Sequence, residues 1–229
     1  MYLIFAILVM IGKPKIKIIL TSSRHSTLTM TTHDQLPQNY PDMFFLFFCS
    51  FTYAQKPVVY YFSEIGLTMY IPSDFNVINA AKNEAMNQRG QKLIEDANHT
   101  RVDISETKTL IAARKSEKDY FNVTITPYDP KKDGSIDESD ANVQKILFKT
   151  FQGKMPNAKI DSASGVKIVG GKSFSEFRMK ILINQNTTMY MYVLSKLYKG
   201  YDLGITYLYT DELTDKQIAS TLNSFKFDK

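Results

Sequence analysis

The chain of 229 residues has no tryptophan, one cysteine and three histidines, and it has no stretch of about 20 apolar residues. Each shortage removes a class of protein. A lone Cys49 makes neither an internal disulfide framework nor a zinc site of several thiolates. His25, His33 and His99 are too few for a histidine-rich metal centre. Its 28 Lys and Arg against 23 Asp and Glu leave a formal charge of only +5, with no basic cluster, so nucleic-acid binding is not expected. What is present is ordinary for a folded domain: 44% hydrophobic, 22% charged and 13% aromatic residues.

Two apolar runs mark the N-terminal region. Residues 1–12 (MYLIFAILVMIG) precede a basic KPKIK, and residues 43–54 (MFFLFFCSFTYA) precede Gln55, Lys56 and Pro57. Each is about a dozen residues, too short to span a membrane as a helix. The second has the length of a signal-peptide apolar region and ends in Thr52-Tyr53-Ala54, a small-x-small pattern that places cleavage between Ala54 and Gln55. No basic stretch precedes it, and Phe48 stands where lipidation of Cys49 would require a small residue, so lipid anchoring is not expected. Residues 21–42 show no period and read as linker, or as sequence upstream of a later start at Met30 or Met43. The expectation is a signal-peptide-like, unstructured segment over 1–54 and one domain over 55–229. The latter has no cysteine, as suits an oxidising compartment.

Within 55–229 the pattern is that of an α+β protein. Leu67, Met69 and Ile71 alternate with polar partners, as do Phe121, Val123 and Ile125, and residues 109–114 read as a strand. Residues 80–97 read as a helix with Ala81, Ala85, Leu93, Ile94 and Ala97 on one face. Ser135 and Glu138 form a capping box ahead of a stripe of Val143, Ile146, Leu147, Thr150 and Phe151. Thr214 with Gln217 suggests a second such box, with Leu213 stapled onto Ile218 and the stripe continued by Leu222 and Phe225. Between these helices, strands over 166–169, 172–183, 188–198 and 201–209 are joined by Gly170-Gly171, Asn184-Gln185-Asn186 and Lys199-Gly200. Phe174 is out of phase with Phe177, which implies a bulge near Ser175 and Glu176. The 188–198 strand is apolar or aromatic on both faces and belongs inside a sheet with helices packed on it.

This order, with the GLTMYIPSDF start, the VGGKSFSEF hairpin, the YKGYDLGITYLYT strand and the closing TDKQIASTLNSFKF helix, resembles the PsbP/DcrB-like family of exported proteins over about residues 60–228. The resemblance implies an α/β/α sandwich around an antiparallel sheet, a fold shared with the eukaryotic Ran-interacting import factor. It also implies a secreted or periplasmic bacterial protein without a catalytic residue to carry over.

Candidate chemistry is sparse. Asp129, Asp133 and Asp137 fall at positions 1, 5 and 9 of a calcium loop, but Lys131 occupies position 3 and Asp140 replaces the bidentate Glu at position 12. A turn feeding the next helix explains the same residues. His99 follows a helix with no serine or cysteine elbow to partner it, and Gly170-Gly171-Lys172-Ser173 lacks the first glycine and the helix of a phosphate loop. Asn122-Val-Thr and Asn186-Thr-Thr match glycosylation sequons, which carry no meaning in a bacterial exported protein. Tyr190, Tyr192, Tyr207 and Tyr209 could instead form an interaction face, since a phenol joins apolar area to a polar tip, or pack as half-buried strand residues. The expectation is an exported, non-enzymatic accessory protein without cofactor that docks an envelope protein partner. The alternatives are an apolar small-ligand cleft beside the sheet and a hydrolase around His99.

Overall fold

The computed structural model describes residues 15–17 and 57–228. The two apolar runs, Cys49 and the Ala54–Gln55 cleavage lie outside the described residues. Lys15–Lys17 (β1) pairs antiparallel with Arg101–Asp103 (β5), a pairing the sequence did not suggest.

The core is a seven-stranded antiparallel sheet. Its strands are Asn76–Val77 (β4), Lys108–Arg114 (β6), Tyr120–Pro127 (β7), Lys159–Val169 (β8), Lys172–Asn184 (β9), Thr187–Tyr198 (β10) and Tyr201–Tyr209 (β11), in the order β4-β6-β7-β11-β10-β9-β8. A smaller sheet of Val58–Phe62 (β2), Leu67–Ile71 (β3) and Lys226–Phe227 (β12) has the order β12-β3-β2. The helices are Ala80–Asn98 (α1), the single turn Pro130–Asp133 (α2), Ile136–Lys154 (α3) and Glu212–Asn223 (α4).

Two apolar clusters lie on opposite faces of the large sheet. On one, Met86 and Ile94 of α1 and Val143, Leu147 and Phe151 of α3 pack over Phe177, Met179, Met189, Met191 and Val193. On the other, Ile218 and Leu222 of α4, Phe225, and Leu67, Met69 and Ile71 of β3 pack over Phe121, Val123, Leu194, Ile205 and Tyr207. The result is the expected α+β sandwich, whose second outer layer combines a helix with the small sheet. Strand β10 lies inside the sheet between β11 and β9, as its two apolar faces required.

Four local expectations are corrected. There is no bulge at Ser175 and Glu176: β9 keeps unbroken register with both neighbours there, and Phe174 and Phe177 point into the two different clusters. A register shift occurs instead at Thr187/Thr188. Ser135 stands at the N-cap of α3 but its side chain makes no capping bond. Helix α4 begins earlier than the Thr214 box implied, because Asp211 accepts from the Thr214 amide at 2.8 Å, and Leu213, 62% exposed, makes no staple. The buried face of α1 is Asn83, Met86, Asn87, Gly90 and Ile94, not the Ala81–Ala85 side.

Gly170 and Gly171 (φ +55° and +73°) make the two-residue turn between β8 and β9, and Lys199-Gly200 (φ +50° and +78°) the turn between β10 and β11. These are left-handed conformations that glycine adopts without steric cost and that match the twist of paired strands.

Candidate interaction face

The hairpin register decides where the tyrosines go. Because β10 and β11 are antiparallel, Tyr190 faces Tyr209 and Tyr192 faces Tyr207. All four lie on the α4 side of the sheet, since Met189, Met191 and Val193 occupy the other. Tyr192 stacks on Tyr207 with ring centres 4.7 Å apart and Tyr190 on Tyr209 at 5.3 Å, while Tyr192 and Tyr209 are 6.0 Å apart. The Tyr209 hydroxyl donates to that of Tyr192 at 3.4 Å.

The ladder grades from buried to open. Tyr207 and Tyr209 are only 2% and 7% exposed, while Tyr190 and Tyr192 are half-buried. Burial pushes the phenols of Tyr207 and Tyr209 above the usual tyrosine range, with Glu176 adding to the first and the Tyr192 hydroxyl to the second. Both remain neutral hydrogen-bonding groups. Lys167 reaches in from β8: its ammonium donates to the Tyr207 hydroxyl at 3.1 Å and lies 5.5 Å from the centre of the Tyr192 ring, a cation–π contact.

Beyond the tyrosines the same face is uncovered. Asp161, Ala163 and Gly165 of β8 and Arg178 and Lys180 of β9 are exposed, and register places Asp161 opposite Lys180 and Ala163 opposite Arg178. Tyr190, Tyr192, Arg178, Lys180 and Asp161 line a shallow depression of about 280 Å³. Tyrosine and arginine are enriched at protein interfaces, whereas lysine and aspartate are depleted there.

The other candidates fall elsewhere. Asp129 accepts from the Lys131 amide at 3.0 Å and Asp133 from the Asp129 amide at 2.8 Å, so both carboxylates cap the single turn α2. Asp137 sits in the first turn of α3. Among the described residues no group of three or more acidic, histidine or cysteine side chains is placed to hold a metal. His99 is exposed in a left-handed conformation (φ 51°) at the end of α1. The buried pair in which Ser195 donates to Asp202 at 3.0 Å was not foreseen. Each residue alone is an ordinary strand residue, and only pairing across the β10–β11 hairpin brings them together.

The chain thus has the architecture of an α+β sandwich with one partly open sheet face. No family model matches it, and no curated protein matches it by sequence. Among solved structures it is similar to cyanobacterial PsbP (CyanoP) from Synechocystis sp. PCC 6803, with 9% identity over 75% of this chain and 92% of that one, at a TM-score of 0.46. It is also similar to LpqN, involved in cell envelope biogenesis of Mycobacterium tuberculosis, with 10% identity over 76% of this chain and 91% of that one, at a TM-score of 0.34. These are likenesses of fold alone.

Proposed function

We propose that this protein is an exported, non-enzymatic accessory domain of the bacterial envelope that docks a protein partner on the open face of β8, β9 and β10. The observation that carries the reading is the half-exposed Tyr190–Tyr192 edge of the stacked ladder, flanked by exposed Arg178, Lys180 and Asp161. Stacking holds the aromatic rings before any partner arrives, which reduces the side-chain entropy lost on docking. The apolar run ending at Ala54 supports export. That no described helix is long and apolar enough to cross a membrane fits a domain held at the envelope by its partner. The non-enzymatic reading rests on the sequence, which offers no serine or cysteine elbow to partner His99.

The test is co-purification from envelope fractions of the native host, comparing wild type with the Tyr192→Ala/Arg178→Glu double variant. A protein retained by wild type and reduced at least ten-fold with the variant supports the reading. Equal retention by both refutes the assigned face. Intact mass and N-terminal sequence of the same material test export: a start at Gln55 supports it, and a retained Met1 contradicts it.

A further inference from the structure

At the sheet edge opposite the tyrosines, α1 and β6 flank an open cavity of about 360 Å³ whose lining includes Tyr60, Ile78, Asn83, Asn87, Thr109 and Ala112. A second cavity of about 300 Å³ shares Glu84, Asn87 and Thr107 with it and runs along α1 to Gln91. The sequence makes this lining: Asn83, Asn87 and Gln91 recur every four residues, so α1 turns a carboxamide stripe inward where an apolar one would pack.

That stripe is expensive to bury. Asn83 and Asn87 are 7% and 9% exposed, and the Oδ1 atom of each has no hydrogen-bond partner among the described residues. Asn83 donates through Nδ2 to the Thr109 hydroxyl at 2.9 Å. Thr109 stands opposite Thr124, and Thr124 opposite Gly204, which has no side chain to fill the space. The hydroxyls of Thr124 and Thr206, 1% and 0% exposed, are also without partners among the described residues. These two hydroxyls lie deeper on the α1 face of the sheet and line neither cavity. Buried polar groups left unmatched cost stability unless something else satisfies them.

The lining defines what could do so. Carboxamides and hydroxyls each donate and accept, which is the pattern a hydroxyl-bearing ligand returns. No lysine or arginine lines either cavity, which disfavours anions, and the charged side chains that do, Glu84 and Asp103, are not grouped to hold a metal. Tyr60, Val77, Ile78 and Leu110 supply an apolar wall for the C–H face of a ring. The volume is within the range of small-molecule sites. We propose that the α1–β6 cavity is a binding site for a small uncharged polyhydroxylated ligand of the mono- or disaccharide class. The site is independent of the tyrosine face.

The experiment titrates the full chain with glucose, N-acetylglucosamine and trehalose, with citrate and spermidine as charged controls, while NMR follows the side-chain amide signals of Asn83 and Asn87. The expected result is a saturable shift of these signals with at least one sugar and with neither control. The apparent Kd should rise at least ten-fold in Asn87→Leu and, separately, in the near-isosteric Thr109→Val. The second variant and the wild-type titration keep the test valid if Asn87→Leu fails to fold. The proposal is overturned if no sugar moves the signals, whether or not water cross-peaks mark the cavity as filled by buried waters. It is equally overturned if a charged control binds in place of the sugars, or if sugar binding is unchanged in both variants.

Discussion

Gly170 shows how one backbone position carries fold information. A Cβ there would lie 2.9 Å from the Phe225 carbonyl oxygen and 2.9 Å from the Phe227 ring, and φ is +55°. Gly170→Ala therefore meets both left-handed strain and a clash with the segment after α4, and should cost about 2 kcal/mol in a denaturant unfolding curve. A loss below about 0.5 kcal/mol would show that the hairpin and the C-terminal segment are not tightly packed. The tyrosines give a pH prediction. Burial raises the phenol pKa of Tyr207 and Tyr209 in the folded state, so the stability from keeping them neutral is fully present below the unfolded value of about 10. It is lost as pH rises above that value toward the folded pKa. Tyrosinate absorbance from these two rings should appear only together with unfolding, and their ionisation in a still-folded protein would contradict their placement. The turn glycines were legible because φ > 0 leaves a compositional mark. The grading of the ladder was not: all four tyrosines look alike in sequence, and only the position of α4 and the small sheet buries two of them.

Among the elements, the ends of the helices separate sequence pattern from actual bonding. Asp211 caps α4 by accepting from the Thr214 amide at 2.8 Å and from the Thr214 hydroxyl at 2.8 Å. The Thr214 amide, then burial acting in the opposite sense and the Thr214 hydroxyl, leave its carboxyl below the usual carboxylate range. A carboxylate lowered in the folded state stabilises above its unfolded pKa of about 3.9, and that contribution is lost as pH falls through the folded value. Asp211→Ala should cost about 1 kcal/mol at neutral pH, whereas Asp211→Asn should keep most of the cap and flatten the acid limb of the stability profile. Ser135→Ala, which removes no side-chain cap bond, should cost less than about 0.5 kcal/mol. Identical stability losses at the two caps would contradict this assignment. The sequence showed where α3 and α4 begin to within a few residues, because polar residues precede both apolar stripes. It could not show which hydroxyl or carboxylate bonds, since that depends on the angle at which the chain enters. Helix α1 lies where the pattern places it and buries Ile94 of the expected face, but the rest of its buried side carries Asn83 and Asn87 where a packing-only pattern expects apolar residues. The two-residue strands β4 and β12 gave no periodic signal at all, being shorter than one alternation.

Over the whole molecule, the unequal covering of the sheet explains the proposed activity. One face carries α1 and α3 along the strands from β6 to β9. The other carries α4 and the small sheet from β6 to the hairpin end of β8 and β9, where Val169 and Phe174 are buried, and leaves residues 161–166 of β8 with Arg178 and Lys180 of β9 exposed beside half-buried Tyr190 and Tyr192. The alternating strands and the two helical stripes make the layered architecture legible in the sequence. The open face was not readable, because it follows from the strand order β11-β10-β9-β8, which no local pattern encodes. The most direct measurement places a photo-crosslinking amino acid at position 180 in one variant and at exposed position 145 of α3 in another, each irradiated in the envelope of the native host. A discrete protein adduct is expected from position 180, lost on adding Tyr192→Ala, and none of that mass from position 145. Adducts of equal yield from both positions, or none from position 180, would contradict the assigned face.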